Sequence, residues 1–180
     1  MNEQNDKELL TLFKNPETTK QGFNKIVRTY NKRLYWHVRK IVICHDDADD
    51  VVQNTFIKTW KALPNFRGDS QLYTWLYRIA TNEALSFLKK KKKHLFQSID
   101  AVSYQLESQI DRNYFIGTEI EKKLQKAILT LPTRQRLVFN MKYFDKLKYK
   151  DISEILGTSV GALKASYHHA KQKIEKYLTK

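Results

Sequence analysis

Apolar residues recur along most of this chain at steps of three and four, the spacing that gathers side chains on one side of an α-helix. From about Thr18 to Ile43, the residues Phe23, Ile26, Val27, Tyr30, Leu34, Val38 and Ile41 make one unbroken stripe, which predicts a long helix with one buried face. A short helix precedes it over about 6–13 and ends near Asn15-Pro16. Another runs from about Asp47 to Leu63, stopped by Pro64, with Val51, Val52, Phe56, Trp60 and Leu63 as core positions. After the loop Phe66-Arg67-Gly68-Asp69-Ser70, a helix over about Leu72–Lys90 places Leu72, Leu76, Ile79, Ala80 and Leu88 inward, helped by Trp75. That leaves Tyr73, Tyr77, Arg78, Thr81 and Asn82 for its open side. Further helices are predicted over Thr118–Leu129 and Arg134–Tyr143, separated by Pro132, the second burying Leu137, Val138 and Met141. Strand-like alternation is scarce and only 5 Gly and 3 Pro interrupt the pattern, so the fold class is all-α.

The sharpest local pattern lies in residues 149–174. Ile152, Ile155 and Leu156 form an apolar face that ends at Gly157, where the chain must reverse in a left-handed conformation. Ser159 can cap the helix that follows, and Val160, Leu163, Tyr167 and Ala170 return its stripe to the core. Two short amphipathic helices around a glycine turn are the mark of a helix-turn-helix. Outward positions on the second helix include Gly161, Ala162, Lys164, Ala165, His168, His169 and Lys171. The early ones are small enough for the backbone to approach a groove, and the later cations reach bases or phosphates. A solvated basic helix in an ordinary bundle is the alternative.

Charge sharpens this picture. With 33 Lys and Arg against 19 Asp and Glu, the chain carries +14, which points to a polyanionic partner. The charge is divided: residues 1–93 hold 18 basic and 10 acidic residues, 94–118 hold 1 and 3, and 119–180 hold 14 and 6. Two basic helical domains, 1–93 and 119–180, joined by a flexible, weakly acidic linker over 94–118, are the natural reading. Neither is large, so each has a modest core and leans on partners. The single cysteine, Cys44, excludes disulfide staples and Cys-rich zinc sites. No apolar run is long enough to cross a bilayer and no signal peptide opens the chain, so a cytoplasmic location without membrane insertion is expected.

Two further segments stand out. In DDADDVVQNTF (46–56), Asp46, Asp49, Asp50, Gln53, Asn54 and Ile57 share a face apart from the core positions. An acidic and amide stripe with an exposed Ile inside a basic protein suits a basic protein partner rather than DNA. Simple stabilisation of a helix N-terminus and a divalent-metal cluster are the other uses of such carboxylates. In residues 66–93, Phe66, Arg67, Ser70, Tyr77, Arg78 and Asn82 combine aromatic faces, cations and an amide, the materials for holding unstacked bases. Lys89–Lys93 extends the field along a phosphate backbone. Each aromatic could equally be core, and the lysine run a solvated helix end.

Taken together these segments resemble the extracytoplasmic-function group of bacterial sigma factors, over nearly the whole chain. DDADDVVQNTFIKTW resembles region 2.2, FRGDSQLYTWLYRIATN regions 2.3 and 2.4, and LPTRQRLVF with YKDISEILGTSVGALKASYHHAKQKI region 4. The resemblance implies a subunit that binds core RNA polymerase and recognises and melts promoter DNA, with no catalysis, cofactor or resident metal of its own. It further implies that Asp49, Asp50 and Gln53 meet the β′ clamp helices, and that the Phe66–Ser70 loop and Asn82 capture the minus-ten element. The last helix enters the minus-thirty-five major groove, the β flap is a second polymerase contact, and the linker threads toward the active-site channel. A region 1.1 and a region 3 domain are missing in such small members, and an anti-sigma factor is a partner to be expected from the family alone. The recognition helix departs from the group's frequent arginines, carrying Lys164, Ser166 and His169. Two other readings compete. One is a duplex-DNA regulator using only the C-terminal lobe. The other is a metal-dependent nuclease using Asp46, Asp47, Asp49 and Asp50, which lacks a His or basic partner at a matching spacing.

Overall fold

A computed structural model describes residues 3–94 and 118–179, and every regular element among them is a helix. The first half consists of α1 (Glu3–Lys14), α2 (Thr19–Val42), α3 (His45–Ala62), a 3₁₀ turn (Leu63–Asn65) and α4 (Leu72–His94). The second half consists of α5 (Glu119–Leu129), α6 (Thr133–Tyr143), α7 (Tyr149–Leu156) and α8 (Val160–Leu178). The linker expected over 94–118 lies outside the described residues except at its two ends. Thr118 forms a capping box with Glu121 at the start of α5, satisfying two backbone donors that a helix N-terminus leaves free.

The stripe on α2 is as continuous as its spacing predicts. Ile26, Tyr30, Leu34 and Val38 are fully buried against the flanking helices. α2 ends at Ile43, a β-branched residue in the left-handed region (φ 68°) whose N–H donates to the Arg39 carbonyl at 2.9 Å. That backbone costs roughly 1–2 kcal/mol. Burying the isoleucine returns about 1.5–3 kcal/mol, so packing decides the turn. Close approach sets another position: a Cβ at Gly22 would stand 2.4 Å from the Phe13 backbone nitrogen, where α1 crosses α2. Gly22→Ala should therefore loosen α1 and cost about 1–3 kcal/mol, read as a lowered urea midpoint. An unchanged midpoint would mean that α1 contributes nothing to stability.

The two halves do not fold around separate cores. Leu137, Val138, Met141, Leu147, Ile152, Ile155 and Leu163 belong to the same buried cluster as the α1–α4 residues, with α7 laid on α4 and α6 on α2. Only Ala127, Ile128, Leu131, Phe139, Ala170 and Ile174 form a smaller cluster of their own, among α5, α6 and α8. The small lobes thus lean on each other. This corrects the open side expected on α4: Tyr73, Tyr77 and Thr81 are buried, at 8, 4 and 1% exposure. α4 has two apolar faces, one turned to α2 and α3 and one to α7, and a single-helix stripe shows only the first. Two other expectations also change. Trp60 is 40% exposed and Val160 38%, so neither is a core residue.

Candidate polymerase and nucleic-acid interfaces

α3 begins after an extended Cys44, with Asp46 and Asp47 in its first turn, where carboxylates are favourable beside free backbone N–H groups. Asp46, Asp49, Asp50, Gln53, Asn54 and Ile57 are all exposed on this helix. Asp47 is the exception in the acidic run, because it turns to Lys91 on α4 in an ion pair. His45 pairs with Asp49 at 3.2 Å on the open surface. Among the described residues no group of three His, Cys, Asp or Glu is placed to hold a metal ion.

Beside this acidic face lies an apolar groove of about 500 Å³ between α2 and α3. Phe23, Val27, Val52, Phe56 and Trp60 form its floor and walls, and Asp49, Gln53 and Ile57 border it. The Phe23 and Trp60 rings meet edge to face at 4.9 Å, holding the indole as a wall of the groove instead of a core residue. Sequence periodicity grouped Trp60 with the core because it lies on the right helical side. Phe13 and Phe23 meet it edge to face, yet much of the ring system stays exposed.

The loop between the 3₁₀ turn and α4 carries Gly68 at φ 82°, a conformation that glycine adopts without strain. Phe66 lies half-buried with its ring 5.0 Å from Trp75. Arg67 is exposed and Ser70 half-buried, while Arg78 and Asn82 point outward from α4. Tyr77 does not join them. Its ring sits 4.6 Å from His37, beneath the second lobe. A cavity of about 520 Å³ separates this loop from α1, from Lys148 and from Lys150, Asp151 and Glu154 of α7.

The helix-turn-helix is built as its sequence predicts. Gly157 is left-handed (φ 62°, ψ 34°) and donates to the Ser153 carbonyl at 2.9 Å, while the Ser153 hydroxyl donates to the Thr158 carbonyl at 2.7 Å. The Ser159 side chain accepts from the Ala162 N–H at 3.4 Å, so it serves as a helix cap. Leu163, Ala170 and Ile174 turn inward, and Gly161, Lys164, Ala165, His168, His169 and Lys171 are exposed along one long surface of α8. Nothing stands within 4 Å of the place a Gly161 Cβ would occupy, leaving the backbone open there. Lys171 lies 3.9 Å from Glu175, an exposed pair that holds it only weakly.

A polar cluster that sequence reasoning missed lies between the lobes. Asp145, in the turn after α6, accepts from His37 Nδ1 at 2.9 Å and from Lys40. Burial pushes its carboxyl up, but the hydrogen bonds and charges of His37 and Lys40 outweigh this and hold it below the usual carboxylate range. Burial, a hydrogen bond to Asp151 and nearby acids push the Tyr73 phenol up to about 12. Burial and the charge of Asp145 likewise raise Tyr77. His37 and Asp145 are 108 positions apart, so no local pattern could have paired them.

Comparison with known proteins decides the identity. The Sigma-70 region 2 family pattern matches residues 26–94 and the Sigma-70, region 4 pattern matches 121–174. The RNA polymerase sigma-H factor of Pseudomonas aeruginosa is 31% identical over 171 residues, covering 88% of this chain and 87% of that one. The ECF RNA polymerase sigma-E factor of Haemophilus influenzae is 30% identical over 165 residues, with 87% of each chain covered. The chain belongs to the extracytoplasmic-function group of sigma-70 family sigma factors.

The fold agrees. CnrH, in a structure of its complex with the cytosolic domain of CnrY, superposes with a TM-score of 0.70 at 23% identity, covering 97% of each chain. The sigma factor RpoE of Bartonella quintana, in complex with the anti-sigma factor NepR, superposes at 0.68 with 22% identity, covering 87% of this chain and 96% of that one. This sigma factor binds core RNA polymerase and promoter DNA, and it directs promoter-specific transcription initiation. Among the described residues, no helix is long and apolar enough to cross a membrane.

Proposed function

We propose that this sigma factor divides its task among three surfaces. The acidic face of α3, comprising Asp46, Asp49, Asp50, Gln53, Asn54 and Ile57, meets the β′ clamp helices of core polymerase. Support comes from the apolar groove that Asp49, Gln53 and Ile57 border: it pairs buried contact area with an acidic rim, a match for an amphipathic basic helix. The loop and helix bearing Phe66, Arg67, Ser70, Arg78 and Asn82 take the minus-ten element, with Tyr77 available only when the lobes separate. α8, led by Gly161, Lys164, Ala165 and His168, enters the minus-thirty-five major groove, and Ser159, His169 and Lys171 lie toward its flanking phosphates. The domain limits 1–93, 94–118 and 119–180 follow this division. The β flap is the second polymerase contact.

The protein works without catalysis in the cytoplasm. It takes an anti-sigma factor, as the Bartonella quintana sigma factor RpoE does with NepR. The test is run-off transcription from genomic promoters by core polymerase with and without the chain. Absence of chain-dependent transcripts would leave only duplex-DNA binding by the C-terminal lobe.

Lys164 and Lys171 separate base reading from phosphate attraction. The N-terminal part of a recognition helix sits deepest in the groove, so Lys164→Ala relaxes preference at particular positions of the upstream element. Lys171→Ala weakens all sequences alike and lowers the log–log salt slope by about 0.9 for a lost phosphate contact. Binding to a library of upstream elements at two salt concentrations decides between them. Uniform loss in both variants would assign specificity to DNA shape.

A further inference from the structure

The Asp145 carboxylate crosses from one lobe to the other, and its side chain is only 5% exposed. A charge that buried is tolerable only if it is paired and hydrogen-bonded. Its partners all come from α2. His37, at 1% exposure, and Lys40 each take one carboxylate oxygen. Asn140, one helical turn before Asp145, donates to the Lys40 carbonyl at 3.3 Å, and the Lys40 ammonium lies 5.3 Å from the centre of the Phe144 ring.

His37 is held at both ring nitrogens: Nδ1 lies 2.9 Å from the Asp145 carboxylate and Nε2 lies 2.9 Å from the Thr81 hydroxyl, whose oxygen is also 2.7 Å from the Tyr77 carbonyl. The turn is shaped to deliver the carboxylate. Lys146 is left-handed (φ 56°), and the Leu147 N–H donates to the Met141 carbonyl at 3.1 Å, closing the turn that carries Asp145 to α2.

We propose that Asp145, His37 and Lys40 form a charge latch that holds the C-terminal lobe closed over the aromatic face of α4, hiding Tyr73 and Tyr77 from nucleic acid until the lobes are drawn apart. A hydrophobic contact alone would close these lobes, but it would tolerate sliding. A buried carboxylate held by two directional partners, His37 and the Lys40 ammonium, has one geometry, and it closes at a single register. The proposal rests on the minus-ten reading of α4 only in its consequence, since closure can be measured without DNA.

The experiment uses the full chain with Cys44→Ser, dye-labelled through Arg28→Cys on α2 and Lys173→Cys on α8, both exposed positions. Energy transfer between the dyes reads the separation of the lobes. Asp145→Asn should lower the closure equilibrium constant by about tenfold or more, as expected when a hydrogen-bonded charge loses its partner. Lys40→Met should open the chain in the same direction, and the double variant should open it by less than the product of the two effects. Binding of an oligothymidylate, which carries no promoter sequence, should strengthen in proportion to the open fraction.

Unchanged transfer in Asp145→Asn, or fully multiplicative effects, would overturn the latch. Opening without tighter oligothymidylate binding would overturn the covering of α4 while leaving the promoter reading to its own test. Should circular dichroism show that Asp145→Asn melts the helices, Lys40→Met, whose side chain reaches solvent, decides alone: wild-type transfer in that variant overturns the proposal.

Discussion

Changing Asp50 to lysine weakens binding to core RNA polymerase by about 1–5 kcal/mol, the range of close interfacial charge contacts. Asp50 is exposed on α3 beside Asp49, Gln53 and Ile57, and those three border the groove walled by Trp60. The substitution places a cation where the partner helix is basic, so it removes an attraction and adds a repulsion. Chain stability should stay within about 0.5 kcal/mol of the parent, because the site is a solvated surface position. Duplex binding through α8 should also be unaffected, since no contact links Asp50 to that helix. Titration of labelled core polymerase at two ionic strengths checks both the loss and its electrostatic origin. Equal affinity of parent and variant would remove the acidic face from the polymerase contact and leave helix capping as its role.

Asn82→Ala reduces open-complex formation roughly tenfold to hundredfold while initial duplex binding stays near parental. The amide projects from α4 into solvent, and a side chain that pairs with a base edge contributes about 1–3 kcal/mol of discrimination. That contact exists only once bases unstack, so its loss falls on melting rather than on first encounter. Permanganate footprinting of the melted segment, beside a binding isotherm on the same promoter, separates the two steps. Phe66→Ala serves as the contrast: its ring packs against Trp75, so its removal lowers stability as well as melting. Normal melting in Asn82→Ala would assign the capture of the strand to the loop instead.

The helices were readable from the sequence because the 3.6-residue period is local. The α2 stripe from Ile26 to Val38, the stop at Pro64 and the Gly157–Ser159 turn each depend on residues within a few positions of one another. Exposed faces were readable for the same reason. Asp49, Asp50 and Gln53 on α3, and Lys164 and His168 on α8, lie on the open sides that their helices' own patterns imply. What only the tertiary structure decided is how one helix covers another. Tyr73 and Tyr77 read as open on α4 because the carboxylates beside them, Asp151 of α7 and Asp145 in the turn before it, are more than 65 positions away, and Thr81 because its partner is His37 of α2. Trp60 read as core because periodicity gives a direction and not the depth of cover. Asp145 carries no mark in its own segment. A lone acid in a turn becomes a buried, doubly paired carboxylate only when α2 brings His37 and Lys40 to it, and hydrogen bonds over such separations are set by packing alone.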